Sequence, residues 1–394
     1  MILELAFWIS SGLLLYTYIG YSLILIILEK CIRNTRSYQD NDYGNYKPYV
    51  SIIVAAYNEE KSISKCIQNL LNLEYPDELY EIIIVSDGSL DETGHIAKRY
   101  EGNRVIVLEY KENRGKTAVH NDATKIAKGD VFVFVDADTT LNKEFLQQSL
   151  FYLENERYGC GSGDYTFLEV GDIGKGEGFY WRSEKMLRFL EHKLGILPFA
   201  SSGCFIIRKT LYKDVPVHSD IDNCLPYWSV QKGYMVFYAR GAKAFDVTVG
   251  NSRAQYKKRV RTALRSAQGI LKEIPALIKE GRIKIVWVLI SHRLIRWFGG
   301  YLMIISLFSN ALIALAGKSI YVVIFSLQLV FYLLALLGFL SETINFKPKV
   351  LFSRLRNICY SFVLANVAFI HATILLSKGT KMKGWNPPSH LNKK

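Results

Sequence analysis

Two aspartates separated by one residue, Asp136 and Asp138, directly follow an apolar run of five residues at 131–135. Such a run of β-forming residues predicts a strand that is buried on both faces, as in a mostly parallel sheet. Ligands of open α/β sheets bind beyond the carboxyl ends of the strands. Carboxylates on alternate residues point roughly the same way there, and their hard oxygens suit Mg²⁺ or Mn²⁺ on a pyrophosphate. The pair could equally be an ordinary polar strand end, so its meaning depends on the rest of the chain.

Polar residues also end two other predicted strands, at 50–56 and 81–86. Asn58 could simply cap the helix that follows it. Asp87 could accept hydrogen bonds from a base or ribose, or it could be a turn residue before Gly88. Because carboxyl ends of parallel strands meet at one edge of a sheet, these residues are expected to converge with the two aspartates on one crevice.

The elements that must position these residues alternate along the chain from residue 49. Predicted strands lie at 50–56, 81–86, 104–108 and 131–135, with helices at 59–73, 90–100 and 117–127 between them. This alternation predicts a doubly wound α/β sheet. Beyond residue 142 the pattern loosens into helices at 143–154 and 177–194, short strands near 205–207 and 235–238, and a basic amphipathic helix at 253–271.

Four stretches without a charged residue are long enough to cross a membrane as helices. They lie at 5–28, 297–316, 319–340 and 357–377. The first is too long for a signal peptide and lacks both a basic start and a cleavage site, so we interpret it as an anchor. The sequence therefore predicts one N-terminal and about three C-terminal transmembrane helices.

Basic residues indicate how these helices are oriented. Lys30, Arg33 and Arg36 follow the first stretch, which places the next section of the chain in the cytosol. We therefore expect a multi-pass protein of the cell (plasma) membrane with a cytosolic catalytic domain. A complete fourth crossing would put the basic tail after residue 377 outside, against the same rule, so two courses remain open for the last stretch.

The formal net charge is +13, and the excess is concentrated between residues 251 and 300, which hold twelve Lys or Arg and two acids. We interpret this region as a surface held against anionic lipid headgroups. Nucleic-acid binding is not expected for a chain with several membrane helices. The six cysteines show no CxxC spacing, which is typical of reduced thiols rather than of a zinc site or a disulfide framework.

Taken as an ordered set, four motifs resemble the family 2 inverting glycosyltransferases of GT-A fold. They are Val54-Ala-Ala-Tyr-Asn-Glu59, Ser86-Asp-Gly-Ser89, Gly115-Lys-Thr-Ala118 and Asp136-Ala-Asp138. Membrane-embedded members of that family include the cellulose, hyaluronan and poly-N-acetylglucosamine synthases. The resemblance covers about residues 49 to 270 and implies a Rossmann-like cytosolic domain. It divides the chain into an anchor (1–36), the GT-A domain (37–250), basic interfacial helices (251–296) and a C-terminal transmembrane region with a basic tail (297–394).

The resemblance also implies roles for residues around the donor, a nucleotide-sugar that we expect to be uridine-linked. Residues implied to bind it are Ala56, Tyr57, Glu59, Asp87, Lys116, Asp136, Arg259 and Arg261. Asp138 would hold Mg²⁺ or Mn²⁺, with Asp136 on the ribose or metal side. The metal would offset charge that develops on the leaving diphosphate.

Family members carry an acidic pair before a helix, and its Asp takes the proton from the acceptor hydroxyl. Asp220 and Asp222 precede a predicted helix here. Asp222 matches the base best by its distance from Leu225 and Gly233, and Asp220 is second. The same residues could be an ordinary helix N-cap with a neighbouring acid.

Residues 199–203 resemble the acceptor side of the family's site, which implies that Ser201, Ser202 and Gly203 contact the acceptor. Trp181 could join them or pack in the core. The chain departs from processive members, which carry QxxRW at the membrane interface, because residues 255–262 contain no Trp. Arg259 and Arg261 remain diphosphate candidates, since cationic hydrogen bonds to phosphate are strong, and lipid contact is the alternative.

These observations predict a membrane-bound enzyme that moves a sugar onto a growing polysaccharide with formation of a β-glycosidic bond. The missing Trp keeps open a second hypothesis, the addition of one sugar to a lipid-linked acceptor. A third is a catalytically idle membrane scaffold that binds a nucleotide-sugar, which the three aspartates Asp136, Asp138 and Asp222 argue against.

Overall fold

The computed structural model of the 394-residue chain describes residues 1–32, 45–168, 172–247, 252–343 and 353–380. The basic residues Arg33 and Arg36 and the tail from residue 381 lie outside this part of the chain. The strands are β1 Val50–Ala56, β2 Tyr80–Asp87, β3 Val105–Tyr110, β4 Val131–Asp136, β5 Thr140–Leu141, β6 Tyr158–Leu168, β7 Cys204–Arg208 and β8 Met235–Val247. The helices are α1 Ile2–Leu15, α2 Tyr21–Cys31, α3 Ile63–Leu71, α4 Thr93–Lys98, α5 Lys116–Ile126, α6 Phe145–Glu154, α7 Asp172–Lys193, α8 Ile221–Gln231, α9 Ser252–Lys279, α10 Ile283–Val288, α11 Ile295–Trp297, α12 Gly299–Leu315, α13 Ser319–Thr343 and α14 Ser353–Ser377.

One eight-stranded sheet organises the domain, in the order β3-β2-β1-β4-β7-β6-β8-β5. The pairs among β3, β2, β1 and β4 are parallel, whereas β7 is antiparallel to both β4 and β6. Every residue of β1 and β2 is buried, because apolar side chains alternate between two core layers, one on each face of the sheet. This architecture confirms the predicted α/β class and most of its predicted elements.

The sequence reading missed β5 and β6 and foresaw only the first residues of β8. β6 has an irregular pattern because its glycines lie where other side chains pack. A Cβ on Gly161 would be 2.4 Å from the ring of Phe237, and one on Gly163 would be 2.3 Å from the carbonyl oxygen of Ala242. Because glycines contribute no apolar side chains, β6 lacks the apolar alternation from which a strand can be predicted.

Among the described residues, three helical segments are long and apolar enough to cross a membrane: Ile2–Cys31, Ser319–Thr343 and Ser353–Ser377. A fourth candidate is a pair, Ile283–Trp297 and Gly299–Leu315, whose two parts are bent by 59°. Many large apolar side chains of α1, α12 and α13 are exposed, as expected of surfaces in contact with lipid. The prediction of one N-terminal and about three C-terminal apolar helices agrees with this arrangement.

Polar contacts join α1 to the α12–α13 hairpin. Trp8 Nε1 donates to Tyr321 Oη at 3.0 Å, and Lys318 in the hairpin turn forms an ion pair with Glu4. The start of α1 and the hairpin turn therefore lie together, at the end of the bundle away from the sheet.

α14 follows a different course from α12 and α13. Near its start, Tyr360 Oη donates to Glu342 at the end of α13, at 2.8 Å. Beyond its last turn, the carbonyl oxygen of Thr380 accepts a hydrogen bond from Gln268 of α9, at 2.8 Å. Because α13 ends on the side from which α12 starts, both ends of α14 lie on the side of the sheet domain.

Candidate active site

The predicted site residues meet where the strand order reverses, between β1 and β4. The register sets Ala55 beside Asp136 and Ala56 beside Ser86, so that the carboxyl ends of β1, β2 and β4 are level. In open α/β sheets this reversal is where ligands bind. Ala56 itself is fully buried and ends β1, and Tyr57 follows it as a half-buried residue in the loop.

The loop after β1 is fastened to the loop after β2. Asn58 has φ of 55°, a left-handed conformation that Asn tolerates better than most residues, and its Oδ1 accepts a hydrogen bond from the Leu90 N–H at 2.8 Å. Asn58 therefore joins two loops rather than acting only as a cap. Glu59 is buried beside it, accepts a hydrogen bond from Ser62 Oγ at 2.5 Å, and has a raised pKa because of its burial.

Asp87 is fully buried, and both of its carboxylate oxygens hold the loop that precedes α5. Oδ1 accepts a hydrogen bond from the Arg114 N–H and Oδ2 one from the Gly115 N–H, each at 2.8 Å. Gly88 makes room for that loop, since a Cβ there would lie 2.4 Å from the backbone of Glu112. In this structure Asp87 positions the loop before Lys116, and its predicted contact with the nucleotide stays a prediction.

Lys116 is the first residue of α5, and its Nζ forms an ion pair with Asp136 Oδ1. Burial by itself would lower the pKa of Lys116, but the neighbouring carboxylate of Asp136 outweighs it and the pKa is raised. The lysine thus remains charged inside the crevice. Lys116, predicted to bind the diphosphate, and Asp136, predicted to lie on the ribose or metal side, are therefore in direct contact.

Asp138 lies two residues further on, among other carboxylates. Burial raises its pKa to about 8, and the negative charges of Asp246, Asp136 and Glu59 add to this effect. A cation would relieve the repulsion in this acidic group, so the donor set fits a divalent ion that prefers oxygen ligands.

No group of three or more His, Cys, Asp or Glu side chains within the described ranges has the geometry of a complete metal site. Mg²⁺ is commonly held by one or two carboxylates together with the phosphates of a substrate. The arrangement around Asp138 therefore fits an ion that arrives with a diphosphate, and it does not fit a permanently bound structural metal.

The two candidate bases have different surroundings. Asp220 is the N-cap residue of α8, and Arg265 of α9 forms an ion pair with it at 2.9 Å. Asp222 lies in the first turn of α8. Its pKa is raised to about 7, first by burial and then by the charge of Asp220, and Lys116 opposes the shift. Asp222 thus lies beside Lys116 at the crevice, whereas Asp220 forms its ion pair with Arg265.

α9 supplies cations to the same crevice. Burial lowers the pKa of Arg261, and the positive charge of Arg265 adds to the effect, while Asp220 and Asp136 oppose it. Arg261 is therefore near the acidic residues, as predicted. Lys258 also acts on Asp138, since its charge lowers the pKa of that carboxyl. Arg259 lies on the same helix and is partly exposed.

The predicted acceptor segment, residues 199–203, is mostly buried. Arg188 Nη1 donates to Ser201 Oγ, and Ser202 beside it is partly exposed. Gly203 has a structural reason to be glycine, because a Cβ would lie 2.2 Å from the ring of Tyr165. Trp181 is partly exposed on α7. The structure brings Ser201 and Ser202 close to the base, since the Ala200 N–H donates to the Asp222 carbonyl oxygen at 3.1 Å.

Sequence reasoning missed three residues of this site. Asp246 of β8 is buried and accepts a hydrogen bond from Tyr165 Oη at 2.9 Å, beyond the short strand that was foreseen. Thr117 Oγ1 donates to the Ser219 carbonyl oxygen at 2.7 Å and so ties α5 to the loop before α8. Arg265 could have been found, because it lies four residues after Arg261 and therefore on the same face of α9.

Comparisons with known proteins agree with this geometry. Residues 51–215 match the sequence model of Glycosyl transferase family 2. A β-monoglucosyldiacylglycerol synthase from Nostoc sp. is 33% identical over 163 residues, which are 40% of this chain and 34% of that protein. A poly-β-1,6-N-acetyl-D-glucosamine synthase from Staphylococcus aureus is 35% identical over 118 residues, or 30% of this chain and 27% of that protein. The chain thus spans about a third of the length of the curated relatives it matches.

The solved structure of a mannosyltransferase from Pyrobaculum calidifontis, in complex with GDP-mannose and Mn²⁺, is similar over nearly the whole chain. The TM-score is 0.68 at 19% sequence identity, with 95% of this chain and 98% of that chain covered. This likeness shows the fold, which is GT-A with flanking helices. Residues 51–215 therefore resemble the family 2 glycosyltransferases in sequence, and the fold of the chain resembles that of one solved glycosyltransferase.

Proposed function

We propose that this protein is a membrane-bound inverting glycosyltransferase that moves a sugar from a nucleotide-sugar to an acceptor at the membrane surface. The observation that carries the proposal is the pairing of two acidic sites across one crevice. Asp138 lies among carboxylates on the predicted donor side, Asp222 lies near the acceptor segment with a pKa of about 7, and the charges of both act on Lys116.

On the donor side, Asp138 and Asp136 would hold Mg²⁺ or Mn²⁺ bound to the diphosphate, and this ion would supply Lewis-acid stabilisation of the leaving group. Lys116, Lys258 and Arg261 place fixed positive charge around the same oxygens, where charge-assisted hydrogen bonds to phosphate are strong. When the donor arrives, its phosphates compete with Asp136 for Lys116. The chain thereby offers cations where negative charge develops.

On the acceptor side, the carboxylate of Asp222 accepts the proton of the attacking hydroxyl. The hydroxyl oxygen forms a bond to the anomeric carbon while the bond from that carbon to the diphosphate oxygen breaks on the opposite face. This displacement converts an α-linked donor into a β-linked product. A base with a pKa of about 7 is well matched to neutral pH, because about half of the molecules carry it ionised and it can readily take up a proton.

Two acceptors suit this chemistry, and a growing glycan is the one that the resemblance to polysaccharide synthases implies. The alternative is a lipid-linked acceptor that receives one sugar. One observation favours this alternative: position 262, where one alignment of α9 would place the Trp of processive members, is an exposed Thr. An exposed threonine offers no aromatic face on which a sugar ring could stack.

The test combines donor, acceptor and base in one assay. Full-length protein and its Asp222→Asn variant are incubated with a panel of nucleotide-sugars, Mg²⁺ or Mn²⁺ and membrane lipid, and nucleotide release and product size are measured. Loss of a general base typically costs about 10²- to 10⁴-fold in rate, so the variant should release almost no nucleotide. Asp214→Asn, which changes an exposed aspartate in the loop between β7 and α8, is the control and should retain activity.

Product size separates the two acceptors. A ladder of long products indicates a polysaccharide, whereas a single-sugar adduct that partitions into organic solvent indicates a lipid-linked acceptor. Donor binding without release of nucleotide in the wild-type protein would refute the enzymatic proposal and support the scaffold hypothesis.

A further inference from the structure

A second group of charged side chains is buried away from the donor crevice, between α7 and the helical turn Leu289–Leu294 that precedes α11. His292 bridges two glutamates of α7: its Nδ1 lies 2.6 Å from Glu191 Oε1, and its Nε2 lies 3.0 Å from Glu184 Oε2. The three side chains are at most 3% exposed. Each ring nitrogen of His292 thus lies within hydrogen-bond distance of a different carboxylate, so the side chain links the two acids.

The apolar helices reach this group from two sides. Tyr21 of α2 donates from its Oη to Glu191 Oε1 at 2.8 Å. Arg296 of α11, directly before the bend into α12, donates from Nη1 to Glu184 Oε2 at 3.1 Å. A buried ion pair that loses one partner leaves an uncompensated charge, which is unfavourable. A shift of one helix would separate these partners, so the contacts hold the helices in one relative position.

The same group holds the acceptor segment. Arg188 of α7 lies 3.4 Å from Glu184 and donates through its other end to Ser201 Oγ. The ring of Phe199 lies beneath the guanidinium groups of Arg188 and Arg293, at 5.5 and 4.3 Å, and packs edge-on against His292 at 5.2 Å. Such cation–π contacts favour one orientation of the ring.

One hydrogen bond continues the connection to the candidate base. The Ala200 N–H, between Phe199 and Ser201, donates to the Asp222 carbonyl oxygen at 3.1 Å. A continuous series of contacts therefore runs from the apolar helices through Glu191, His292, Glu184 and Arg188 to the residue proposed to take the proton.

We propose that Glu184, His292 and Arg188 are positioning residues that set the acceptor segment and Asp222 relative to the membrane, so that an acceptor hydroxyl arriving from the lipid surface meets the base. This inference rests on the proposed function. None of the three side chains is placed at the donor crevice, so they should affect the acceptor half of the reaction and leave donor binding intact.

The test uses full-length protein in lipid nanodiscs and compares Glu184→Gln, His292→Gln and Arg188→Lys with a matched control. Lys193→Gln removes an exposed ion pair with Glu29, at 2.8 Å, that also joins α7 to α2 but does not touch the acceptor segment. Arg188→Lys keeps the positive charge and loses only the forked geometry of the guanidinium. This variant therefore still tests the inference if the other two fail to fold.

We expect nucleoside diphosphate binding to stay within about twofold of wild type in every folded variant, with a higher acceptor KM and a lower kcat for the three cluster variants only. A displacement of about 1 Å in a reacting group can cost about 10²-fold, so kcat/KM for the acceptor should fall by about 10- to 100-fold. A purely structural role would lower the folded fraction and leave both constants of the folded enzyme unchanged.

Hydrogen exchange supplies a readout that does not need activity. The Ala200 amide should exchange faster in Arg188→Lys than in wild type or Lys193→Gln, because the segment is no longer held at Ser201. Unchanged exchange at Ala200, or acceptor kinetics equal to those of Lys193→Gln, would overturn the inference. A wild-type protein that binds donor and protects Ala200 but transfers no sugar would instead refute the proposed function.

Discussion

Binding of a divalent ion at Asp138 should release a proton. Burial and the carboxylates of Asp246, Asp136 and Glu59 raise the pKa of Asp138 to about 8, so at pH 7 about nine tenths of the molecules hold a proton there. A carboxyl group must be ionised to bind a metal, so the metal ion and the proton compete for the same oxygens of Asp138. We expect about 0.9 proton released per Mg²⁺ bound at pH 7 and about 0.1 at pH 9, given that pKa.

The same competition sets the pH dependence of affinity. Between pH 7 and pH 9 the ionised fraction of Asp138 rises about tenfold, which corresponds to about 1.4 kcal/mol in the free energy of metal binding. The sign is definite: metal affinity rises with pH through the pKa of Asp138. A phosphate of the nucleotide titrates near pH 6, about one unit below this range, and therefore contributes little to the change.

Isothermal titration calorimetry in two buffers of different ionisation enthalpy measures the proton count directly. Mg²⁺ is titrated into protein loaded with uridine or guanosine diphosphate, and each titration is repeated at pH 7 and pH 9. Asp138→Asn should abolish the proton release, and Asp246→Asn should reduce it at pH 7, because one source of the raised pKa is gone. Asp130→Asn, at the other end of β4 and exposed, is the control.

A wild-type value below about 0.2 proton at pH 7, with tight metal binding, would refute the reasoning, because Asp138 would then be ionised before the metal arrives. Equal proton release in Asp138→Asn and wild type would show that the proton comes from another group.

Three further predictions concern the base, the glycine of the acceptor segment and the last helix. In a pH–rate profile, kcat/KM should fall about tenfold per pH unit below about pH 7, as Asp222 becomes protonated. Asp220→Asn should move this acidic limb to lower pH, because it removes a charge that raises the pKa of Asp222. An unchanged limb would exclude Asp222 as the titrating group. Gly203→Ala should destabilise the protein by about 1–3 kcal/mol in thermal unfolding, since the new Cβ would overlap the Tyr165 ring. Gly102→Ala, a control with open space around it, should not destabilise the protein. Equal melting temperatures of the two variants would contradict the close approach of Gly203 to Tyr165. A protease site placed after residue 394 should be cleaved from the same membrane side as a loop of the sheet domain, because both ends of α14 lie there; cleavage from the opposite side would show that α14 crosses.

Periodicity predicted the first half of the sheet well because its strands are buried runs with clear turn residues at their ends. The bounds of β1 were predicted to the residue, and β4 differs by one. In the second half the chain is constrained by close packing at glycines such as Gly161, and such constraints come from partners distant in sequence. The predicted domain boundary at residue 250 also separates α9 from the domain, although Leu264 and other residues of α9 share its core.

For the candidate site, local sequence patterns led to Asp136 and Asp138 after a strand and to Asp222 at the start of a helix, and the roles of these residues stay predictions. Tertiary contacts decided the remainder. Asp87 holds the Arg114–Gly115 backbone, and Arg265 forms an ion pair with Asp220. These contacts join residues about 27 and 45 positions apart, which no local sequence pattern encodes.

The course of α14 has a consequence for how a product could leave the enzyme. With both of its ends on the side of the sheet domain, α14 would act as a monotopic helix, half-immersed in one leaflet and braced against α9. The segments that traverse the bilayer would then be the N-terminal helix, α12 and α13. Within the described ranges, three such helices packed side by side leave little room for a sugar chain between them, so this arrangement suits a glycolipid that diffuses away in the leaflet where it formed better than a translocated glycan.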